Sequence, residues 1–166
     1  MPEYPETFFE KYKSKGILID TNLMVLIAVG NYSVDRILTF KRTIQYTLED
    51  YTLMMSIVAY FERRITTPHI LAEVDNLTRQ LPQAEHRALA AAMGQLIANS
   101  FEIYVPSGEA IRMPHYSGLG LTDCVTILAA LEALVITDDF RLSGSLSNLD
   151  RDVININHIR TWGWSM

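Results

Sequence analysis

The chain has 166 residues, of which 49% are hydrophobic and 20% charged; this composition excludes extensive disorder and suits a single domain spanning residues 1–166. Its formal net charge of −5 means that the surface as a whole does not attract phosphate, so a nucleic-acid partner would need a local patch of Lys and Arg. Cys124, the one cysteine, cannot form an internal disulfide, the N-terminus lacks a signal-peptide pattern, and no apolar stretch is long enough to span a membrane. We therefore expect a cytoplasmic protein without a membrane partner.

A short helix and a buried strand open the chain. Aromatic and charged residues alternate over residues 6–15 as in an amphipathic helix, which Gly16 can close in a left-handed turn. The apolar run Ile17–Ile19 follows and ends on Asp20 and two small polar residues. An all-apolar strand indicates a sheet covered on both faces, and parallel sheets of this kind bind ligands beyond the carboxyl ends of their strands. Asp20 is therefore placed at a functional edge, although a role limited to capping the next helix stays open.

Two helical stretches come next. The helix at residues 23–29 should end before Gly30 and Asn31, because both residues tolerate positive φ. Residues 33–64 carry apolar side chains at helical spacing, and either one long helix or two helices joined near residues 49–50 fit the pattern. The stretch is rich in aromatic residues, for which a core position is the preferred interpretation and a homodimer face the alternative.

A second acid lies on a helix that follows a strand. Residues 64–67 are β-prone, and Thr67 with Pro68 forms a specific helix-start signal, an N-cap followed by proline at the first helical position. Glu73 falls in the second turn of that helix. A glutamate on a helix is usually solvated surface, but the apolar neighbours of Glu73 indicate a mostly buried helix, so both interpretations stay open.

The middle of the chain predicts a long helix, a strand and a loop. The alanine-rich helix spans Gln83–Ala98, and residues 101–105 alternate apolar and polar side chains as in a strand. Residues 107–120 form a loop that is a candidate substrate lid. Asp123 lies in the first turn of the next helix, where the helix dipole favours an acid in any case.

A second fully apolar strand ends on acids, as the first one does. Leu134–Thr137 is followed directly by Asp138 and Asp139, and a final strand is expected at residues 152–156. The chain then reaches two tryptophans, which we expect to pack against the sheet rather than to stack on bases: Trp162 and Trp164.

Strands that alternate with helices predict an α/β fold with a mostly parallel sheet, in which right-handed crossovers bring successive strand ends to one edge. Five carboxylates should meet there: Asp20, Glu73, Asp123, Asp138 and Asp139. Two unit charges about 4 Å apart repel by roughly 4 kcal/mol at an effective dielectric of about 20, so either one acid keeps a proton or a cation fills the site. Oxygen ligands of this kind suit Mg²⁺ or Mn²⁺, and the matching chemistry is phosphodiester hydrolysis.

Four segments of this chain resemble, in their order, those of the PIN-domain nucleases. They are Leu18-Ile19-Asp20-Thr21-Asn22, Thr67-Pro68-His69-Ile70-Leu71-Ala72-Glu73-Val74, Leu121-Thr122-Asp123 and Ile136-Thr137-Asp138-Asp139-Phe140. The resemblance implies a three-layer Rossmann-like PIN fold with about five strands flanked by helices. Residues 33–64 are longer than the matching part of compact, toxin-type members and represent a helical insertion.

The resemblance also implies a function, that of an endoribonuclease that depends on Mg²⁺ or Mn²⁺ and acts on RNA. Asp20, Glu73 and Asp123 would then be the core metal-site acids. The fourth acid of the family usually sits two residues after the threonine, which indicates Asp139, with Asp138 as the adjacent competitor. Two further residues would hydrogen-bond around the site: Asn22 and Thr137. Because the family includes toxins of toxin–antitoxin pairs, an antitoxin protein is an implied partner class.

Two other functions compete with this interpretation. A phosphatase of the haloacid-dehalogenase type needs a second Asp two residues after the first, and Asn22 occupies that position here. A catalytically silent PIN-like module that binds RNA or protein would be free to lose some of the acids, and this chain has all of them. Four basic residues close in sequence to the acids are candidate phosphate contacts: Arg79, Arg112, His115 and Arg141.

Overall fold

The computed structural model describes residues 5–160, so the prediction for Trp162 and Trp164 lies outside the described residues. The strands, numbered β1 to β5 in chain order, are Ile17–Ile19, Arg64–Thr66, Phe101–Glu102, Leu134–Thr137 and Val153–Asn155. The helices of the described range, numbered α1 to α11, are Pro5–Tyr12, Thr21–Tyr32, Val34–Ile37, Leu48–Tyr60, Pro68–Thr78, Gln83–Ala98, Ser107–Ala110, Tyr116–Leu119, Leu121–Ala129, Phe140–Asn148 and Ile156–Ile159.

All neighbouring strands pair in parallel, in the order β3-β2-β1-β4-β5, and helices flank the sheet in a Rossmann-like three-layer arrangement. The predicted α/β fold with a five-stranded parallel sheet is confirmed. Strands β1 and β4 lie side by side in the middle, with Leu18 paired to Val135 and Ile19 to Ile136, and every residue of both strands is buried. Strands β2 and β3 extend the sheet on one side of this pair and β5 on the other, so the strand order reverses between β1 and β4. In open parallel sheets, ligands bind beyond the carboxyl ends of the strands at such a reversal.

Helix α1 ends at Tyr12 rather than at the predicted residue 15, and Gly16 closes the following turn in the predicted left-handed conformation. The backbone N–H of Gly16 donates to the carbonyl of Tyr12 at 2.8 Å, and Gly16 has a φ of +111°, a conformation that glycine adopts without steric cost. A Cβ at this position would also lie 2.8 Å from the carbonyl oxygen of Arg63, the residue before β2. The glycine therefore turns the chain into β1 and lets β2 approach.

Helix α2 is longer than the sequence predicts. It runs without interruption through Gly30 and ends at Tyr32, where the N–H of Ser33 donates to the carbonyl of Val29 at 2.8 Å. The expected end before Gly30 was wrong, because the glycine serves a close approach rather than a positive φ. A Cβ on Gly30 would lie 2.3 Å from a ring carbon of Tyr51, which packs on it from α4.

Residues 33–64 form two helices separated by turns, so the interpretation as one long helix was wrong. Helix α3 ends at Ile37, and α4 begins after Thr47 with a capping box in which Thr47 and Asp50 exchange side-chain to backbone hydrogen bonds. The break therefore lies at residues 38–47, and residues 49–50 belong to the first turn of α4. The aromatic side chains of this stretch and of Tyr32 are buried or half-buried, as predicted for core positions: Tyr32, Phe40, Tyr46, Tyr51, Tyr60 and Phe61.

Helix α6 has the predicted bounds, Gln83–Ala98, and buries little more than Leu89 and Met93. At 16 residues it is the longest helix in the described range, and no helix among residues 5–160 has the length and hydropathy needed to cross a bilayer.

The later strands and loops differ in detail from the prediction. Strand β3 covers only Phe101–Glu102 of the predicted residues 101–105, because it lies at the edge of the sheet and pairs with β2 alone. The predicted loop at residues 107–120 instead contains two single-turn helices, α7 and α8. Strand β5 is Val153–Asn155 rather than residues 152–156, since Ile156 begins α11.

Candidate active site

The candidate site lies beyond the carboxyl ends of β1 and β4, where the strand order reverses. Asp20 follows β1 directly, and Asp138 and Asp139 follow β4 directly. The N–H of Asp20 donates to the carbonyl of Ile136 at 3.1 Å, so the two strand ends stay paired up to the acids. Two parallel strands thus deliver three carboxylates to one edge of the sheet.

Asp20 is the most enclosed acid of the site, with 5% of its surface exposed. It is the N-cap of α2, since its Oδ1 accepts a hydrogen bond from the N–H of Leu23 at 3.1 Å, and its Oδ2 accepts one from the Thr137 hydroxyl. Asp20 therefore does cap α2, as the sequence left open, but it also has a second hydrogen-bond partner in Thr137. Burial, the Asp138 carboxylate and, to a smaller extent, Asp123 raise the pKa of Asp20 to about 7, against the lowering effect of the two hydrogen bonds.

Thr137 connects the ends of β1 and β4. Its buried hydroxyl donates to Asp20 Oδ2 and accepts a hydrogen bond from the N–H of Asp139 at 2.9 Å. A single hydroxyl used as donor and acceptor in this way fixes the carboxylate of Asp20 relative to the backbone that carries the next two acids.

Asp138 and Asp139 have different surroundings although they are adjacent. Asp139 is the N-cap of α10, and its Oδ1 accepts from the N–H groups of Arg141 at 2.6 Å and Leu142 at 3.1 Å. Asp138 Oδ2 accepts from the Tyr46 hydroxyl at 2.6 Å, whereas Asp138 Oδ1 is buried and has no hydrogen-bond partner among the described residues. An unpaired buried carboxylate oxygen is costly in a folded protein, which makes Asp138 Oδ1 a candidate cation ligand.

The other two acids come from helices on the β2 side of the site. Glu73 on α5 accepts a hydrogen bond from the Thr21 hydroxyl at 3.1 Å, and α5 packs against α9, whose first turn carries Asp123. Burial, then the charges of Asp139 and Glu73, raise the pKa of Asp123 to about 6, and Arg141 acts in the opposite direction. Because Asp123 also contributes to the raised pKa of Asp20, the five carboxylates form one electrostatically coupled group.

The donor set fits a hard divalent cation, although the side chains do not converge on one point. Among the described residues, no three His, Cys, Asp or Glu side chains are close enough together to hold a metal ion as they stand. Mg²⁺ keeps several waters and is commonly held through one or two carboxylates, so three converged ligands are not required. Burial and mutual repulsion raise the pKa values of Asp20 and Asp123, and Asp138 Oδ1 has no hydrogen-bond partner in the described range, so these three acids could take a cation as a counter-charge.

Of the four predicted basic contacts, Arg141 is the one that the structure brings to the acids. Its guanidinium donates to the carbonyl of Gly118 in α8, and its charge lowers the pKa of Asp123. Arg79 lies at the C-terminal end of α5 and pairs with Asp75, Nε to Oδ2, at 2.9 Å. Arg112 is exposed, and His115 has a buried Nδ1 without a hydrogen-bond partner in the described range.

Sequence reasoning missed two side chains that hold acids in place. Asn22, which was expected to hydrogen-bond around the site, has an exposed side chain that makes no hydrogen bond with the described part of the chain. Its neighbour Thr21 instead donates its hydroxyl to Glu73. Thr21 could have been found, because it is a small polar residue one position after the first acid. Tyr46 gave no such signal, since 92 positions separate it from Asp138 and it fits a core aromatic equally well.

The chain was compared with protein-family models, with curated proteins and with solved structures. None of the three comparisons found a match.

Proposed function

We propose that this protein is a PIN-like endoribonuclease that uses Mg²⁺ or Mn²⁺ to hydrolyse RNA phosphodiester bonds. The observation that carries the proposal is the coupled group of five carboxylates at the reversal between β1 and β4, where Asp20 and Asp138 leave adjacent strands. The motifs that resemble the PIN-domain nucleases supply the acids of this group. Raised pKa values among acids that several elements bring together are more typical of functional sites than of structural acids.

The chain's own residues hold and orient the acids of the proposed site. Thr137 fixes Asp20, Thr21 fixes Glu73, and Tyr46 fixes Asp138, each through one hydroxyl hydrogen bond. The bound divalent ion would supply Lewis-acid chemistry, namely a water of lowered pKa and neutralisation of charge on the scissile phosphate. Asp20 and Asp138, which follow adjacent strands, would hold the ion, and α5 and α9 contribute Glu73 and Asp123 to the same group of acids.

Arg141 supports phosphate as the substrate group. Its guanidinium donates to the carbonyl of Gly118 in α8 and its charge acts on Asp123, so a phosphate bound beside the acids would meet a positive charge. Because the chain carries a net charge of −5, RNA must be held by such local contacts and not by the overall field. We expect weak, salt-sensitive RNA binding and cleavage that falls steeply as ionic strength rises.

Two observations favour a second candidate, a catalytically silent module that binds RNA or protein. No three acids of the described range converge on a common point. One carboxylate oxygen of Asp139 also already accepts the two hydrogen bonds that cap α10. In such a module the acids would serve the fold alone. Cleavage in the presence of a divalent ion separates the two candidates.

The test uses labelled single-stranded RNA and DNA of the same sequence, incubated with protein in Mg²⁺, Mn²⁺ or EDTA. The expected result is internal cleavage of RNA with either ion, none in EDTA, and a loss of at least about 100-fold in Asp20→Asn, which keeps an N-cap but removes the charge. The matched control is Asp152→Asn, a carboxylate at the opposite, amino end of the sheet that accepts from Lys11 and Tyr12. Absence of RNA cleavage in Mn²⁺, or full activity of Asp20→Asn, overturns the proposal and leaves the silent module.

A further inference from the structure

Tyr46 connects the helical residues 33–64 to the acidic site. It lies in the turns between α3 and α4, is 2% exposed, and donates its hydroxyl to Asp138 Oδ2 at 2.6 Å. Residues 33–64 therefore reach into the acidic site through one ring. A buried tyrosine needs a partner for its hydroxyl, and a carboxylate acceptor makes a short, charge-assisted hydrogen bond that fixes the position of both groups.

The ring of Tyr46 also packs against the guanidinium of Arg160. The Arg160 guanidinium lies 5.8 Å from the ring centroid and pairs with Asp50 through two bonds, Nε to Oδ1 at 2.7 Å and Nη2 to Oδ2 at 3.0 Å. Asp50 in turn accepts from the N–H of Thr47, next to Tyr46, at 2.9 Å. Such a two-pronged ion pair gives geometric precision as well as energy.

The same arginine closes a circuit back to Asp138. Arg160 Nη1 donates to Asn157 Oδ1 at 2.7 Å, and Asn157 Nδ2 donates to the backbone carbonyl of Asp138 at 2.8 Å. The backbone and one carboxylate oxygen of Asp138 are thus both held by groups of one connected network. Its other oxygen, Oδ1, remains buried and without a partner in the described range.

We propose that Tyr46 is a positioning residue, which holds Asp138 so that Oδ1 and the carboxylate of Asp20 bind the same divalent cation. The inference rests on the proposed function and adds to it in one respect. It assigns to Tyr46 the orientation of Asp138, whose hydrogen bond from Tyr46 goes to Oδ2 and leaves Oδ1 for the cation, whereas Asp139 carries the cap of α10. Residues 33–64 are then part of the site.

A structural role alone would explain the burial of Tyr46, so the test must separate packing from positioning. Tyr46→Phe removes one hydroxyl and keeps the ring. The chain offers a matched control, because Tyr12 also donates to an aspartate, Asp152 Oδ2 at 2.8 Å, at the amino end of the sheet. Tyr12→Phe therefore deletes the same kind of hydrogen bond far from the acids.

The measurement is the dissociation constant of Mn²⁺ by calorimetry or by electron paramagnetic resonance, on metal-stripped full-length protein whose fold is checked by circular dichroism. Tyr46→Phe should raise this constant about 10-fold, the scale found when a partner that orients a metal ligand is removed, and Tyr12→Phe should leave it unchanged. In an Asp138→Asn background, Tyr46→Phe should have no further effect, since the positioned oxygen is already altered.

The outcomes distinguish this inference from the proposed function. Wild-type protein that binds no Mn²⁺ overturns both. Wild-type binding with an unchanged constant in Tyr46→Phe, or an equal loss in Tyr12→Phe, overturns the role of Tyr46 and leaves the nuclease proposal standing. If Tyr46→Phe does not fold, Arg160→Met decides, because it keeps the hydroxyl but removes the support behind the ring: weaker Mn²⁺ binding supports the inference, and unchanged binding overturns it.

Discussion

Asp20 combines two roles that conflict at neutral pH. It caps α2 as a hydrogen-bond acceptor, yet its burial and the nearby Asp138 carboxylate oppose its ionisation and raise its pKa to about 7. In the proposed metal site, this carboxylate would exchange a proton for the cation.

The stability of the metal-free protein should therefore fall as the pH rises. The pKa of Asp20 is raised from 3.8 to about 7 and that of Asp123 to about 6, so between pH 4 and 7 the folded state binds more protons than the unfolded state. By linkage, the free energy of unfolding then decreases with pH through this window. Asp20→Asn removes the larger part of this slope and should stabilise the protein at pH 8, by at most about 4 kcal/mol, because the pKa shift is about three units and one unit corresponds to about 1.4 kcal/mol.

Urea unfolding in EDTA at intervals between pH 5 and pH 8 measures this effect, with Asp152→Asn as the comparison. The pKa of Asp152 is lowered in the folded protein, against the effect of its burial, by hydrogen bonds from Lys11 and Tyr12. Its removal should cost stability above pH 4, the opposite sign to Asp20→Asn. A stability that is flat or rises with pH in wild-type protein contradicts the assignment of raised pKa values to the acids.

The five acids were predictable because their chemistry is visible in local sequence. Asp20 and Asp138 each end an apolar strand, and parallel strands bring such ends together. What holds these acids was less visible. Thr137 is adjacent in sequence to the acids, but Tyr46 contacts Asp138 through the tertiary fold alone, and nothing in the spacing of aromatic residues distinguishes it from the core rings of the same stretch.

At the scale of elements, Gly30 shows how one residue sets the approach of two helices. Gly30→Ala should destabilise the protein by about 2 kcal/mol, because its Cβ would lie 2.3 Å from a ring carbon of Tyr51 in α4 and buried helices resist such overpacking. Gly94→Ala in α6 is the matched control, since a Cβ there meets no atom within 4 Å. Relief of glycine entropy should then stabilise the protein by about 0.5–1 kcal/mol. Urea unfolding of both variants checks the pair, and equal signs would contradict the packing of α4 on α2.

Elements with local signals were predictable, and those fixed by packing were not. The N-cap and proline at Thr67 and Pro68 start α5 as expected, and β4 has the predicted bounds. The glycine inside α2 predicts a helix end, because a sequence does not show the ring that packs on it. Strand β3 is short for a related reason, as its length depends on the single neighbour available at the sheet edge.

At the scale of the whole molecule, charge and topology act together. The order β3-β2-β1-β4-β5 places the acids of β1 and β4 side by side, while α5 and α9 deliver Glu73 and Asp123 from the β2 side. The chain has a net charge of −5, and five of its carboxylates form one coupled group at one edge of the sheet. A divalent cation would relieve repulsion at that edge and link both halves of the sheet, so its binding should be visible as stability of the entire domain.

Cation binding should therefore raise the melting temperature, and do so more strongly at pH 8 than at pH 6. Mn²⁺ at 100 times its dissociation constant adds about 2.7 kcal/mol, or roughly 5–10 °C for a domain of this size. At pH 6 the cation must displace protons, because the pKa of Asp20 is raised to about 7 and that of Asp123 to about 6, so the same Mn²⁺ concentration should give a smaller shift. Differential scanning fluorimetry with wild type, Asp20→Asn and Asp152→Asn measures this. A shift that Asp20→Asn retains in full, or one that is equal at both pH values, would place the bound ion somewhere other than among these acids.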